Sequence, residues 1–145
     1  MTAKDPNSHS GHGSRKFTLP KHRILRGKKN FQQLFESGSV LHGSAVQFRY
    51  LLTGKENGVK IGFIAKKSLG NAVTRNRTKR LLREAWRLQQ EEMINLADRS
   101  GTGIHGVFMA KRTDLTFQIV QNETRELIEK LQGRMGRQKQ KHNRQ

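Results

Sequence analysis

The chain has no cysteine, only two prolines, one tryptophan and one tyrosine, and eleven acidic residues among 145. Without cysteine there can be no disulfide, thiolate nucleophile or Cys-ligated zinc, and the chain suits a reducing compartment. No apolar run approaches the ~18 residues a transmembrane helix needs, so no membrane partner is expected. The first stretch, Met1 to Ser14, is polar and rich in Ser, Gly and His, without the apolar core of a secretory signal. These absences together point to the cytoplasm. Carboxylates are also missing where hydrolytic chemistry would want them. Residues 1 to 90 contain only Asp5, Glu36, Glu56 and Glu84, and the six histidines (His9, His12, His22, His42, His105, His142) show no ligand spacing. A protein-only nuclease is not expected, and the chain reads as a binder with no catalytic residue and no metal site of its own.

What is present is positive charge. Twenty-nine Lys and Arg give a formal net charge of +18 and a pI near 11.3. A field of that size calls for a polyanion, and nucleic acid leads because cations that neutralise phosphates release condensed counterions. At 32% hydrophobic and 6% aromatic residues the core must be small. One domain is expected over residues 17–131, between a polar N-terminal tail (1–16) and a basic C-terminal tail (132–145) that carries Arg134, Arg137, Lys139, Lys141 and Arg144 but no acid.

Between the tails, Phe31, Leu34 and Phe35 recur at helical spacing and Gly38 supplies a C-terminal stop. Val46, Phe48, Tyr50 and Leu52 alternate with Gln47 and Arg49 as in a strand, and Gly54 to Gly58 offers a turn into a second strand, Val59 to Ala65, so a hairpin is expected. A third strand fits Ile104 to Ala110 and a last helix Thr116 to Leu131, on whose single face lie Phe117, Val120, Leu127, Ile128 and Leu131. With a helix over 71–89 the order is α-β-β-α-β-α, an α+β sandwich of helices on one mixed sheet.

The 71–89 segment carries the strongest signal. On a wheel of ~100° per residue, Trp86, Lys79, Arg83, Asn76, Arg87 and Arg80 share one arc, and Leu88, Leu81, Thr74, Ala85, Thr78 and Leu82 share the opposite, packing arc. From Lys66 to Arg87 there are eight basic residues and a single acid, Glu84. An ordinary solvated face would mix signs at i, i+4, whereas this one repels itself and needs phosphates to relieve it. Arginine outnumbers lysine here, and its planar fork holds phosphate oxygens or a guanine edge bidentately.

The run Lys66-Lys67-Ser68-Leu69-Gly70-Asn71-Ala72, followed by Arg75-Asn76-Arg77, Lys79-Arg80 and Arg83-Glu84-Ala85, resembles the signature of the bacterial ribonuclease P protein family. The likeness covers about residues 19 to 131, with Leu19-Pro20, Ile61-Gly62-Phe63 and Val107-Phe108-Met109-Ala110-Lys111 as further points of agreement. It implies a non-catalytic protein subunit of an endoribonuclease that hydrolyses the phosphodiester at the mature 5′ end of tRNA. In the family one protein joins one catalytic RNA, the RNA holds Mg²⁺ and does the chemistry, and the protein binds both that RNA and precursor tRNA. The basic helix is implied to lie in a left-handed crossover between parallel strands, against the general rule. Arg75, Asn76, Arg77, Lys79, Arg80, Arg83 and Arg87 are the residues implied to meet the catalytic RNA. Phe31, Phe35, Phe48, Lys66 and Lys67 are those implied to line a cleft for the single-stranded 5′ leader, where unpaired bases stack on rings without sequence demand.

The resemblance breaks at one point: Ser68 stands between Lys67 and Leu69, where many members have Ile or Val and Gly directly after the lysine pair. If the pair lay in a strand, a one-residue slip would turn its side chains over, which leaves open which of Lys66, Lys67 and Ser68 faces RNA. Two readings of Phe31 and Phe35 also stand, since core packing at helical spacing explains them as well as a cleft. The contrasting functional class is a structural RNA-binding protein such as a ribosomal component, which would share the charge but have no use for a leader cleft.

Overall fold

The computed structural model describes residues 18–144, so the N-terminal tail expected over 1–16 lies outside the described residues. The elements are α1 (Lys28–Ser37), β1 (Ser39–His42), β2 (Val46–Thr53), β3 (Val59–Ile64), α2 (Ala72–Ser100), β4 (Gly103–Ala110) and α3 (Phe117–Arg144). Single 3₁₀ turns occupy Lys21–Arg23, Lys55–Asn57 and Lys67–Leu69. The four strands form one mixed sheet in the order β1-β2-β4-β3, with β3 parallel to β4 and the other neighbours antiparallel. The helix-and-sheet class is as expected, with one strand more.

That extra strand, β1, is only four residues long, too short for its Val40-Leu41 pair to show a period. The expected hairpin does not form either. β4 lies between β2 and β3, and Ile104 N–H donates to Gly58 O across the turn at 2.9 Å. The reason is burial. β4 has no charged residue and is covered on both faces, as a central strand must be, whereas β2 carries Arg49 and β3 carries Lys60. Gly103 allows the close passage, since a Cβ there would strike the carbonyl of Gly54.

The pleat divides the sheet into two faces. Leu41, Val46, Phe48, Tyr50, Val59, Ile61, Ile104 and Phe108 join the main core with α2 and α3. On the other face Val107 packs with Leu25 and Leu34, and with the partly buried Phe31, Leu51 and Ile64, beneath α1. Gly38 ends α1 at an extended φ of −75°, so its role is spatial: a Cβ would strike the Leu34 carbonyl.

Two helices exceed their expected lengths. α3 keeps its arc of Val120, Leu127, Ile128 and Leu131, then continues through the segment expected to be a tail and buries Met135. α2 begins with Asn71, whose Oδ1 accepts from Thr74 N–H at 2.9 Å, and runs to Ser100, where Gly101 at φ 66° closes it. Its buried stripe is Thr78, Leu82, Ala85, Trp86, Gln90, Met93, Leu96 and Ala97. Trp86, expected on the cationic arc, is fully buried with its ring centroid 5.8 Å from that of Phe108, while Leu88, expected inside, is 37% exposed. The largest apolar side chain draws the stripe toward itself, and over 29 residues the stripe follows a twisted sheet.

Candidate nucleic-acid interface

The segment between β3 and α2 is built to present cations. β3 ends at Ile64, and Lys67–Leu69 makes a 3₁₀ turn fixed by Thr113 Oγ1, which donates to Leu69 O at 3.3 Å. Strand alternation therefore does not decide the orientation of Lys66, Lys67 and Ser68, and all three are exposed. Gly70 adopts φ 145°, a conformation open to glycine, and its carbonyl accepts from Arg75 Nε at 3.1 Å. Arg75 is thereby half-buried and held in place, with the ends of its guanidinium still available.

Beyond it, Asn76, Arg77, Lys79, Arg80 and Arg83 follow on the solvent side of α2, and none has a hydrogen bond or ion pair among the described residues. Arg87 differs from them. It pairs with Glu84, and their hydrogen bond holds the Glu84 carboxyl below its usual range and the Arg87 guanidinium above its own. The stripe is thus nearly uncompensated at its N-terminal end and partly neutralised at Arg87. Acids return only further along α2, at Glu91, Glu92 and Asp98.

A second surface lies between α1 and the opposite face of the sheet. Phe31 packs against Gly62, where a Cβ would stand only 2.8 Å from the ring's Cζ. Phe35 is 39% exposed, and the Arg49 guanidinium lies 5.3 Å from its ring centroid. Arg49 Nε is buried without a hydrogen-bond partner among the described residues. A cation held beside an exposed ring offers the two kinds of group that a single strand uses, a charge for phosphate and a ring for a base.

Phe48 does not belong to this surface. It is fully buried on the other face, stacked near Tyr50 and tilted against Phe108, with its ring over Gly106. Its expected place in the cleft is corrected by the pleat, which sets Phe48 in phase with Val46 and Tyr50 and aims Arg49 at α1. Arg49 is the residue sequence reasoning missed. Its signal was present as the one cation inside an otherwise uncharged strand.

Little else in the molecule is chemically unusual. Burial, and after it the Lys60 charge, lower the pKa of His105, so it adds no positive charge at neutral pH. Among the described residues no three of His, Asp and Glu converge as a metal site would require, and no helix is long and apolar enough to cross a membrane.

The fold and its two surfaces define a class: a small α+β protein with an uncompensated cationic helix face on one side and a partly exposed aromatic surface on the other. The family model for ribonuclease P matches residues 19–132, and the chain belongs to that family. It is 33% identical over 98 residues to the ribonuclease P protein component of Chlorobium phaeobacteroides, covering 63% of this chain and 67% of that one. The corresponding protein of Geotalea uraniireducens is 30% identical over 120 residues, 81% of this chain and 97% of that one. The solved RNase P protein of Staphylococcus aureus shares the fold, with a TM-score of 0.61 at 21% identity over 74% of this chain and 93% of that one. As a member of the family, the chain is a protein of ribonuclease P and of tRNA processing.

Proposed function

We propose that this protein works in the cytoplasm as the non-catalytic subunit of a one-RNA, one-protein ribonuclease P, holding the catalytic RNA on α2 and the 5′ leader of precursor tRNA on the α1 face. The observation that carries the reading is the run of cations from Arg75 to Arg83, which no acid neutralises and which, beyond the Arg75 Nε bond to the Gly70 carbonyl, has no side-chain partner among the described residues. Self-repulsion of this kind is relieved by phosphates, and each one neutralised adds counterion release to the affinity. The division of labour follows from the donor set. Mg²⁺ prefers hard oxygen ligands, which the phosphates of the RNA supply in number and which the described residues of this chain do not bring together. The protein's part is to offset phosphate repulsion and to position the substrate.

For the leader, the reading rests on Phe35, Arg49 and the half-buried Phe31, with Lys66 and Lys67 as exposed cations for the backbone. Such a surface accepts any leader sequence, because every base has a face to stack. The α2 assignment is tested by the salt dependence of affinity for the catalytic RNA. Replacing Arg75, Arg77 and Lys79 together by Ala should shrink the slope of log affinity against log salt by roughly one unit for each phosphate no longer neutralised. An unchanged slope in a folded variant would mean that this face points elsewhere.

A further inference from the structure

One cavity in the basic face has a floor unlike the rest. Between the edge strand β3 and α2 lies an open groove of about 320 Å³ lined by Phe63, Asn76, Lys79, Arg80 and Arg83. Phe63 follows Ile61 on the α2-facing side of the sheet, half-buried, with its ring nearly parallel to that of Phe108 at an interplanar angle of 10° and 6.5 Å between centroids. Because β3 is an edge strand, no further strand covers Phe63 on its outer side. The bridge from Ile24 protects that edge at Ile61, two residues earlier. Cations alone would suffice for a groove that only tracks a phosphate backbone. This one places an aromatic ring beneath three cations, and beside them a side-chain amide whose donor and acceptor are both unspent.

We infer that this groove receives a single unpaired nucleotide of the partner RNA, its base against Phe63 and its edge on the Asn76 amide, with the flanking phosphates on Lys79, Arg80 and Arg83. The inference rests on the α2 reading proposed above and adds to it. The stripe would then bind flexible or bulged RNA at one point as well as helical backbone along its length. An asparagine amide offers a donor and an acceptor side by side, which matches the N6/N7 edge of adenine better than the O6/N7 edge of guanine. A ring closed off on its core side and open on the other provides one stacking face. The cations alone would suit an acidic protein segment equally well, and it is the aromatic floor that favours a nucleotide, whose base stacks on it.

The test uses the full chain reconstituted with its catalytic RNA. Phe63→Leu keeps an apolar side chain against Phe108 but removes the ring, and Asn76→Ala removes the amide from an exposed position. Each should lower RNA affinity about ten-fold, within the range for base stacking, without changing the salt slope. Chemical probing of the RNA should show one unpaired nucleotide, protected by the wild-type protein, becoming reactive with either variant. Unchanged affinity and protection would overturn the inference, and so would a reduced salt slope, which would mark a phosphate contact only. If Phe63→Leu fails to fold, the same readouts on Asn76→Ala decide. Retained RNA binding by the Arg75, Arg77 and Lys79 triple variant would instead strike the α2 reading itself, so the two failures are distinguishable.

Discussion

Single side chains in this protein do their work according to which face of the sheet they reach. Phe48 fills the main core, so Phe48→Ala should cost about 3 to 5 kcal/mol of stability, the range for truncating a buried aromatic, and should disturb RNA binding only through unfolding. Phe35 is the ring to change for function. Phe35→Ala should weaken the reconstituted enzyme's hold on precursor tRNA by about 1 to 3 kcal/mol and leave mature tRNA nearly unaffected, since only the precursor has a leader to stack. Equal losses for both RNAs would refute the leader assignment. Glu123 serves structure. Its carboxylate accepts from Ser44 Oγ and from the N–H groups of Ala45 and Val46, tying α3 to the turn before β2. Burial pushes its pKa up, but these hydrogen bonds and the Arg112 charge outweigh burial, and the net shift is downward. A carboxyl lowered on folding stabilises the native state above its unfolded pKa and loses that contribution as pH falls through the folded value. The melting-temperature gap between wild type and Glu123→Gln should therefore be widest near neutrality and narrow as pH falls below the ordinary carboxylate range. A gap that does not vary with pH would mean that the charge plays no part.

Helix α2 joins two tasks along one length, and its sequence is legible for one of them. The run of like charges announces the cationic face directly, because charge needs no partner in the fold to be recognised. The packing face is displaced by part of a turn from its expected arc, since the wheel treats all apolar residues alike and takes the helix as straight. Trp86 is where the difference shows: Trp86→Ala should destabilise the domain by about 3 to 5 kcal/mol, whereas Leu88→Ala, at an exposed position, should change stability little. Chemical denaturation of both variants checks this, and equal losses would return Leu88 to the packing face. The helix start is better marked. Asn71 before Ala72 is a capping residue by type, and Asn71→Ala should cost about 1 kcal/mol.

Across the whole molecule charge is segregated along the chain. Seven of the eleven acids fall after residue 90, in the second half of α2, the β4–α3 connection and α3, while the cations of the β3–α2 junction and the first half of α2 stand nearly alone. A separation of this kind orients the protein as it approaches RNA and predicts an association rate that falls steeply with ionic strength. Composition and spacing by themselves determined that the chain carries a large positive charge, that Arg75 to Arg83 form an uncompensated cationic run, and that helices and strands share one small core. These properties reside in charge and local periodicity, which neighbours in sequence are enough to express. Only the tertiary structure decided that β4 separates β2 from β3, that Phe48 turns inward while Arg49 meets Phe35, and that Phe63 floors a groove under the basic helix. Each of these depends on which strand is central and which face a helix covers, and that choice is made by the burial of distant segments against one another.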